Sequence, residues 1–117
     1  MIRKVKPIAR NDLPHSATLK KVTGTDSYNK KTFAADVALK FIRVEPVHNV
    51  KTVAAGEDKE MTNFLVFYDS VNSKPNDVVF DEGDQIIFKG KTLNIVLVDD
   101  QYAFDGDKVH HYEIGCK

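Results

Sequence analysis

Apolar residues recur in this chain with a period of two and hardly anywhere with the period of a helix. Val37, Leu39 and Phe41 alternate with polar or small residues, and Ile42 and Val44 then continue one step out of phase. Strand side chains point alternately to opposite faces, so the slip marks a bulge, or burial on both faces, near residues 41–42. Phe64, Val66 and Tyr68 form one face of a second run, with Leu65 and Phe67 on the other. Ile86 and Phe88 lead into Lys89-Gly90-Lys91, beyond which Leu93, Ile95 and Leu97 alternate with Asn94, Val96 and Val98. This predicts a hairpin turning at Gly90. A further hairpin is predicted at Asp105-Gly106, a dipeptide that tolerates positive φ at both central positions of a type I′ turn, joining 93–104 to 109–114.

Helical signals are sparse. Only Thr52–Met61 has helix-friendly residues, and Gly56 interrupts them at a cost of up to about 1 kcal/mol relative to Ala, so the segment reads as a loop with at most one helical turn. Pro14 and the Asn11-Asp12 pair close a short N-terminal arm, and 72–77 is a turn cluster. At 117 residues the chain is one domain's length. The expected fold is all-β: a small antiparallel β-barrel with a long inserted loop, with residues 1–14 as the arm, 15–117 as the barrel and 46–62 as the loop. Its core is expected to include Val37, Leu39, Phe64, Val66, Ile86, Phe88, Leu93, Ile95 and Ile114, with Phe41, Phe67 and Tyr112 also at core positions.

The formal net charge is zero but unevenly spread. Residues 1–31 hold eight Lys/Arg against Asp12 and Asp26, while residues 63–117 hold five Lys against ten Asp/Glu. Such separation can give a folded domain opposed basic and acidic faces that join copies head to tail, and it singles out Lys20, Lys21, Lys30 and Lys31 as a candidate subunit interface. No apolar run approaches the roughly 18 residues of a membrane span, so no membrane contact is expected, and the Met-Ile-Arg-Lys-Val-Lys-Pro start is not that of a secretory signal.

Catalytic and metal chemistry find little support. The adjacent His110 and His111 should point to opposite faces of a strand, one buried and one exposed, and so should not chelate one metal together. Asp99, Asp100, Asp105 and Asp107 lack the spacing that wraps a loop round calcium and suit turns better. The glycines are scattered singly, which leaves no phosphate cradle. No GxSxG elbow is present. Cys116, the lone cysteine, excludes an internal disulfide and reads as a terminal spectator thiol. No enzyme activity and no cofactor are expected.

Three stretches carry a resemblance. Tyr28-Asn-Lys-Lys-Thr-Phe-Ala-Ala-Asp-Val-Ala-Leu-Lys-Phe-Ile-Arg-Val-Glu-Pro46, then Gly83-Asp-Gln-Ile-Ile-Phe-Lys-Gly-Lys-Thr-Leu-Asn-Ile-Val96, then Val109-His-His-Tyr-Glu-Ile114 resemble the minor capsid proteins of tailed phages and prophages of Gram-positive bacteria. These are similar to the head-closure, or stopper, proteins of the head-to-tail connector. The likeness spans about residues 15–117. It implies a structural virion protein, assembled in the bacterial cytoplasm, that forms a ring of its own copies beneath the portal and adaptor, joins head to tail, and sends a loop into the lumen to retain packaged double-stranded DNA. Loop 46–62, folded as a hairpin, could reach roughly 26 Å. Its charged residues His48, Lys51, Glu57, Asp58, Lys59 and Glu60 are mixed in sign, which suits a steric block better than a grip on phosphates. The competing class is a monomeric barrel that binds single-stranded nucleic acid, which requires aromatic platforms beside a cationic groove.

Overall fold

The computed structural model describes residues 6–47, 62–102 and 108–117. Its strands are β1 (His15–Lys20), β2 (Val22–Thr25), β3 (Lys31–Phe33), β4 (Val37–Pro46), β5 (Phe64–Asp69), β6 (Gln85–Phe88), β7 (Lys91–Tyr102) and β8 (Val109–Cys116). Six of them close an antiparallel barrel in the order β1-β4-β5-β8-β7-β6, and β2 and β3 form a separate two-stranded ribbon. Closure removes the unpaired edges that an open sheet of this size would expose.

The inward faces fill the barrel. Leu19, Leu39, Ile42, Val66, Ile86, Ile95, Ile114 and Cys116 are all but completely buried, and Leu93, Val44 and Tyr68 join them. Every position of the expected core list lies in this cluster or, for Val37, Phe64 and Phe88, packs against it. Tyr112 also packs on the cluster, but Phe41 and Phe67 do not belong to it. Phe67 faces outward, where its ring lies 6.3 Å from that of His111.

Bulges explain where simple alternation fails. His15 and Ser16 of β1 stand opposite Ile42 and Lys40 of β4, which leaves Phe41 as the extra residue. Phe41 has φ +56°, in the left-handed region that bulky residues avoid. Its carbonyl accepts a bond from the Ser73 hydroxyl, and its ring lies 4.6 Å below the Arg10 guanidinium. The extra residue moves the inward set from odd to even numbers, so Leu39 and Ile42 both reach the core. In β7 the pairs Ile95↔Cys116 and Leu97↔Gly115 leave Val96 over. Leu97, which plain alternation groups with Leu93 and Ile95, is therefore 51% exposed.

The hairpin predicted at Gly90 forms. Lys89 and Gly90 both have positive φ, 48° and 78°, in a two-residue turn closed by Phe88↔Lys91. β7 pairs antiparallel with β8 as expected, while Asp105, Gly106 and Asp107 lie outside the described residues. So does the Thr52–Met61 loop.

Candidate functional site

The four singled-out lysines cluster around the ribbon but differ in their surroundings. Lys21, in the single-residue link between β1 and β2, is fixed at the ribbon's base: its ammonium donates to Asp84 Oδ2 at 2.7 Å, Asp81 Oδ2 at 3.0 Å and the Val79 carbonyl at 2.8 Å. Burial alone would lower its pKa, but the bonds to Asp84 and Asp81 outweigh that and raise it. Asp84, almost fully buried, also accepts the Val22 N–H at 2.9 Å. Here the basic N-terminal and acidic C-terminal blocks meet within one chain. Lys20 pairs with Asp36 at 3.4 Å. Lys30 and Lys31 are exposed; Lys31 reaches the Gly83 carbonyl at 3.3 Å, and Lys30 makes no ion pair among the described residues. The ribbon's turn is tied by the Asp26 carboxylate, which accepts the N–H groups of Tyr28 and Lys30 at 2.8 and 2.9 Å, and Tyr28 stands 83% exposed beside them.

At one end of the barrel, the β4–β5 ladder continues past Pro46↔Phe64 to a bond from Val47 N–H to the Asn63 carbonyl at 2.9 Å. The connection beyond this point holds all six expected loop residues, His48, Lys51, Glu57, Asp58, Lys59 and Glu60, and lies outside the described residues. Its flanks adjoin the C-terminus, for Asn63 N–H donates to the Cys116 carbonyl at 2.7 Å. Cys116 is no loose tail residue. It is wholly buried in the core, and burial pushes its thiol pKa up to about 12, so it is an unreactive packing group.

At the other end of β5 the N-terminal arm is fastened by its main chain. The buried Asp69 carboxylate accepts the Ile8 N–H at 2.9 Å together with the Val71 and Asn72 N–H groups at 3.0 and 2.8 Å. The Asn72 side-chain amide donates to the Ile8 carbonyl at 2.6 Å, and His110 Nε2 contacts the Lys6 carbonyl at 2.6 Å. Leu13, 2% exposed, anchors the arm's far end. Alternation gave no sign of either buried carboxylate, Asp69 or Asp84, because each also holds a main-chain N–H some sixty residues away in sequence, Ile8 and Val22 respectively.

The histidine pair departs from expectation. Gln101↔His111 and Tyr102↔Val109 leave His110 as a bulge residue, so the two rings do not take opposite faces. They meet at a right angle, with Nδ1 atoms 2.7 Å apart, and His111 Nε2 lies 3.0 Å from Glu113 Oε2. Both histidines are half-buried and hydrogen-bonded. Among the described residues no group of three or more His, Cys, Asp or Glu side chains is placed to hold a metal ion. An open cleft of about 440 Å³ beside Ser16, Leu39, Lys40, Ile87 and Lys89 brings together no set of converging acid and base groups.

Among the described residues, the polar groups thus converge on fastening and turn-holding. The family model for minor capsid proteins matches residues 10–116. The chain belongs to the minor capsid protein family. No curated protein matches it. As a minor capsid protein it is a structural component of the virion, with other virion proteins as partners. Of the aromatic residues, Phe64, Tyr68, Phe80, Phe88 and Tyr112 lie in or against the core, whereas Tyr28 and Tyr102 are exposed.

Proposed function

We propose that this minor capsid protein is a head-closure subunit of the head–tail connector of a tailed phage or prophage of Gram-positive bacteria. Copies form a ring between the portal and adaptor above and the tail proteins below. Residues 15–117 are the ring unit and residues 1–14 its arm. The β4–β5 connection blocks the passage of packaged double-stranded DNA sterically, through the stretch that includes His48, Lys51, Glu57, Asp58, Lys59 and Glu60.

The observation that carries this reading is a long connection, residues 47–63, at one end of a barrel whose interior is packed solid. A filled barrel transmits nothing along its own axis, so a channel must lie between copies, and an element that closes it must extend from the wall. Most connections in compact domains are far shorter, and longer ones tend to carry function. Lys30 and Lys31, with Lys20 and Lys21 behind them, supply the basic side of a contact with an acidic neighbour, which gives a salt-sensitive interface.

Deletion of residues 50–59 tests the gate. The barrel is expected to stay folded, because those residues lie beyond the last paired residues of β4 and β5. Particles assembled with the deletion are expected to package DNA and then lose it, and full retention would overturn the gating role.

A further inference from the structure

The contact between the two histidines fixes a proton count. The Lys6 carbonyl can only accept, so His110 Nε2 must carry a hydrogen. The Glu113 carboxylate requires another on His111 Nε2. Between the rings, the two Nδ1 atoms need one hydrogen and have room for no more. Three ring hydrogens are one more than two neutral imidazoles hold, so the closed arrangement carries a single positive charge set against Glu113. With one proton fewer, one of the three bonds has no hydrogen. With one more, two N–H groups oppose each other at hydrogen-bond distance.

We propose that His110 and His111 form a proton-counted latch on the N-terminal arm, which fastens the Lys6 main chain when the pair and Glu113 share one extra proton and releases it when a proton is either lost or gained. Among the described residues, the other charged groups around the pair are Asp69, opposite His111 on β5, Asp99, opposite Glu113 on β7, and Lys108 and Lys6 from the chain on either side. Gln101 and the Phe67 ring complete the surroundings. Release extends only to Ile8, where the Asp69 and Asn72 bonds hold the main chain independently of the rings. The main chain under control is that of Lys6, whose carbonyl the His110 ring holds. The inference does not depend on which step of virion assembly the protein serves.

Nitrogen-15 NMR of the imidazole rings, with the Lys6 amide and carbonyl resonances reporting on the arm, tests it from about pH 4.5 to about pH 9.5, a span that brackets imidazole titration. At the pH of tightest fastening, His110 is expected to be protonated on Nε2 only and His111 on both nitrogens. The arm resonances are expected to shift toward detached values on both sides of that pH. No shift, or a shift on one side only, would overturn the latch. Glu113→Gln sharpens the test, because the glutamine amide can donate to an unprotonated His111 Nε2 and lowers the required count by one. This variant is expected to hold the arm at the alkaline end and lose it only on acidification, and a profile that stays two-sided would contradict the proposal. His110→Ala should leave the arm detached at every pH with the β5–β8 amide resonances unchanged. Wild-type arm shifts in that variant would equally refute it.

Discussion

His15 shows how one side chain can finish a strand. At the start of β1, where the ladder with β4 is interrupted by the Phe41 bulge, its Nδ1 accepts the Val44 N–H at 3.0 Å, in place of a strand carbonyl. Its ring packs edge-on against Phe88 at 5.1 Å. The accepting nitrogen needs its lone pair, and burial, then Lys89 and Arg43, lower the pKa from the ordinary 6.5. The unfolded chain therefore takes up the proton more readily than the folded one. The contribution of His15 is intact above about pH 6.5 and is lost as pH falls through the folded value. Urea midpoints should accordingly fall on acidification below that point, and less steeply in His15→Phe, which is less stable at neutral pH because the Val44 N–H loses its acceptor. Equal slopes in the two proteins would exclude His15 as a source. Ser73 does comparable work nearby: fully buried, it accepts the Asp69 N–H at 2.8 Å and donates to the Phe41 carbonyl, which ties the bulge to the turn after β5.

Among the elements, the β2–β3 ribbon owes its position to Asp84 more than to packing. Asp84 holds both the Val22 N–H and the Lys21 ammonium, and the ribbon's own burial is slight. Removing hydrogen bonds to a charged group costs about 1.5–3 kcal/mol each, so Asp84→Ala should speed hydrogen exchange of the β2 and β3 amides at least tenfold while the barrel amides keep their protection. A uniform loss of protection would show that ribbon and barrel unfold as one. The barrel's hairpins and the β4 phase slip could be read from sequence because they depend on neighbours: turn residues at Gly90, and alternation that any extra residue must offset. β1 escaped notice, since only Ala17 and Leu19 of its six residues contribute to the core. Phe80 lies outside any strand, yet its ring packs 4.9 Å from that of Tyr68. The fastening of the arm by Asp69 and the meeting of the histidines were equally hidden, because each depends on a register set by segments distant in the chain.

For the molecule as a whole, the decisive joint is the seam where β1 meets β6. Thr18↔Ile87, Leu19↔Ile86 and Lys20↔Gln85 join residues at least 65 apart in sequence, whereas the β6–β7 and β7–β8 pairs are local hairpins. Closing a long loop costs chain entropy that only a completed sheet repays. The seam should therefore form late: Ile87→Val is expected to speed unfolding with little effect on the folding rate, while Val98→Ala in the β7–β8 hairpin should slow folding. Stopped-flow kinetics in denaturant would show the split, and a seam variant that slowed folding instead would reverse this order. The late seam also acts as a check on everything assembled before it. Each of the other five pairings adds its own offset, including the extra residues at Phe41, Val96 and His110, and only one total brings Leu19 opposite Ile86. A slip of one residue anywhere turns an inward face outward by the time the sheet comes round, so the ring of strands cannot close on an error. Closure in this barrel is thus a form of proofreading, carried out by geometry before any partner is met.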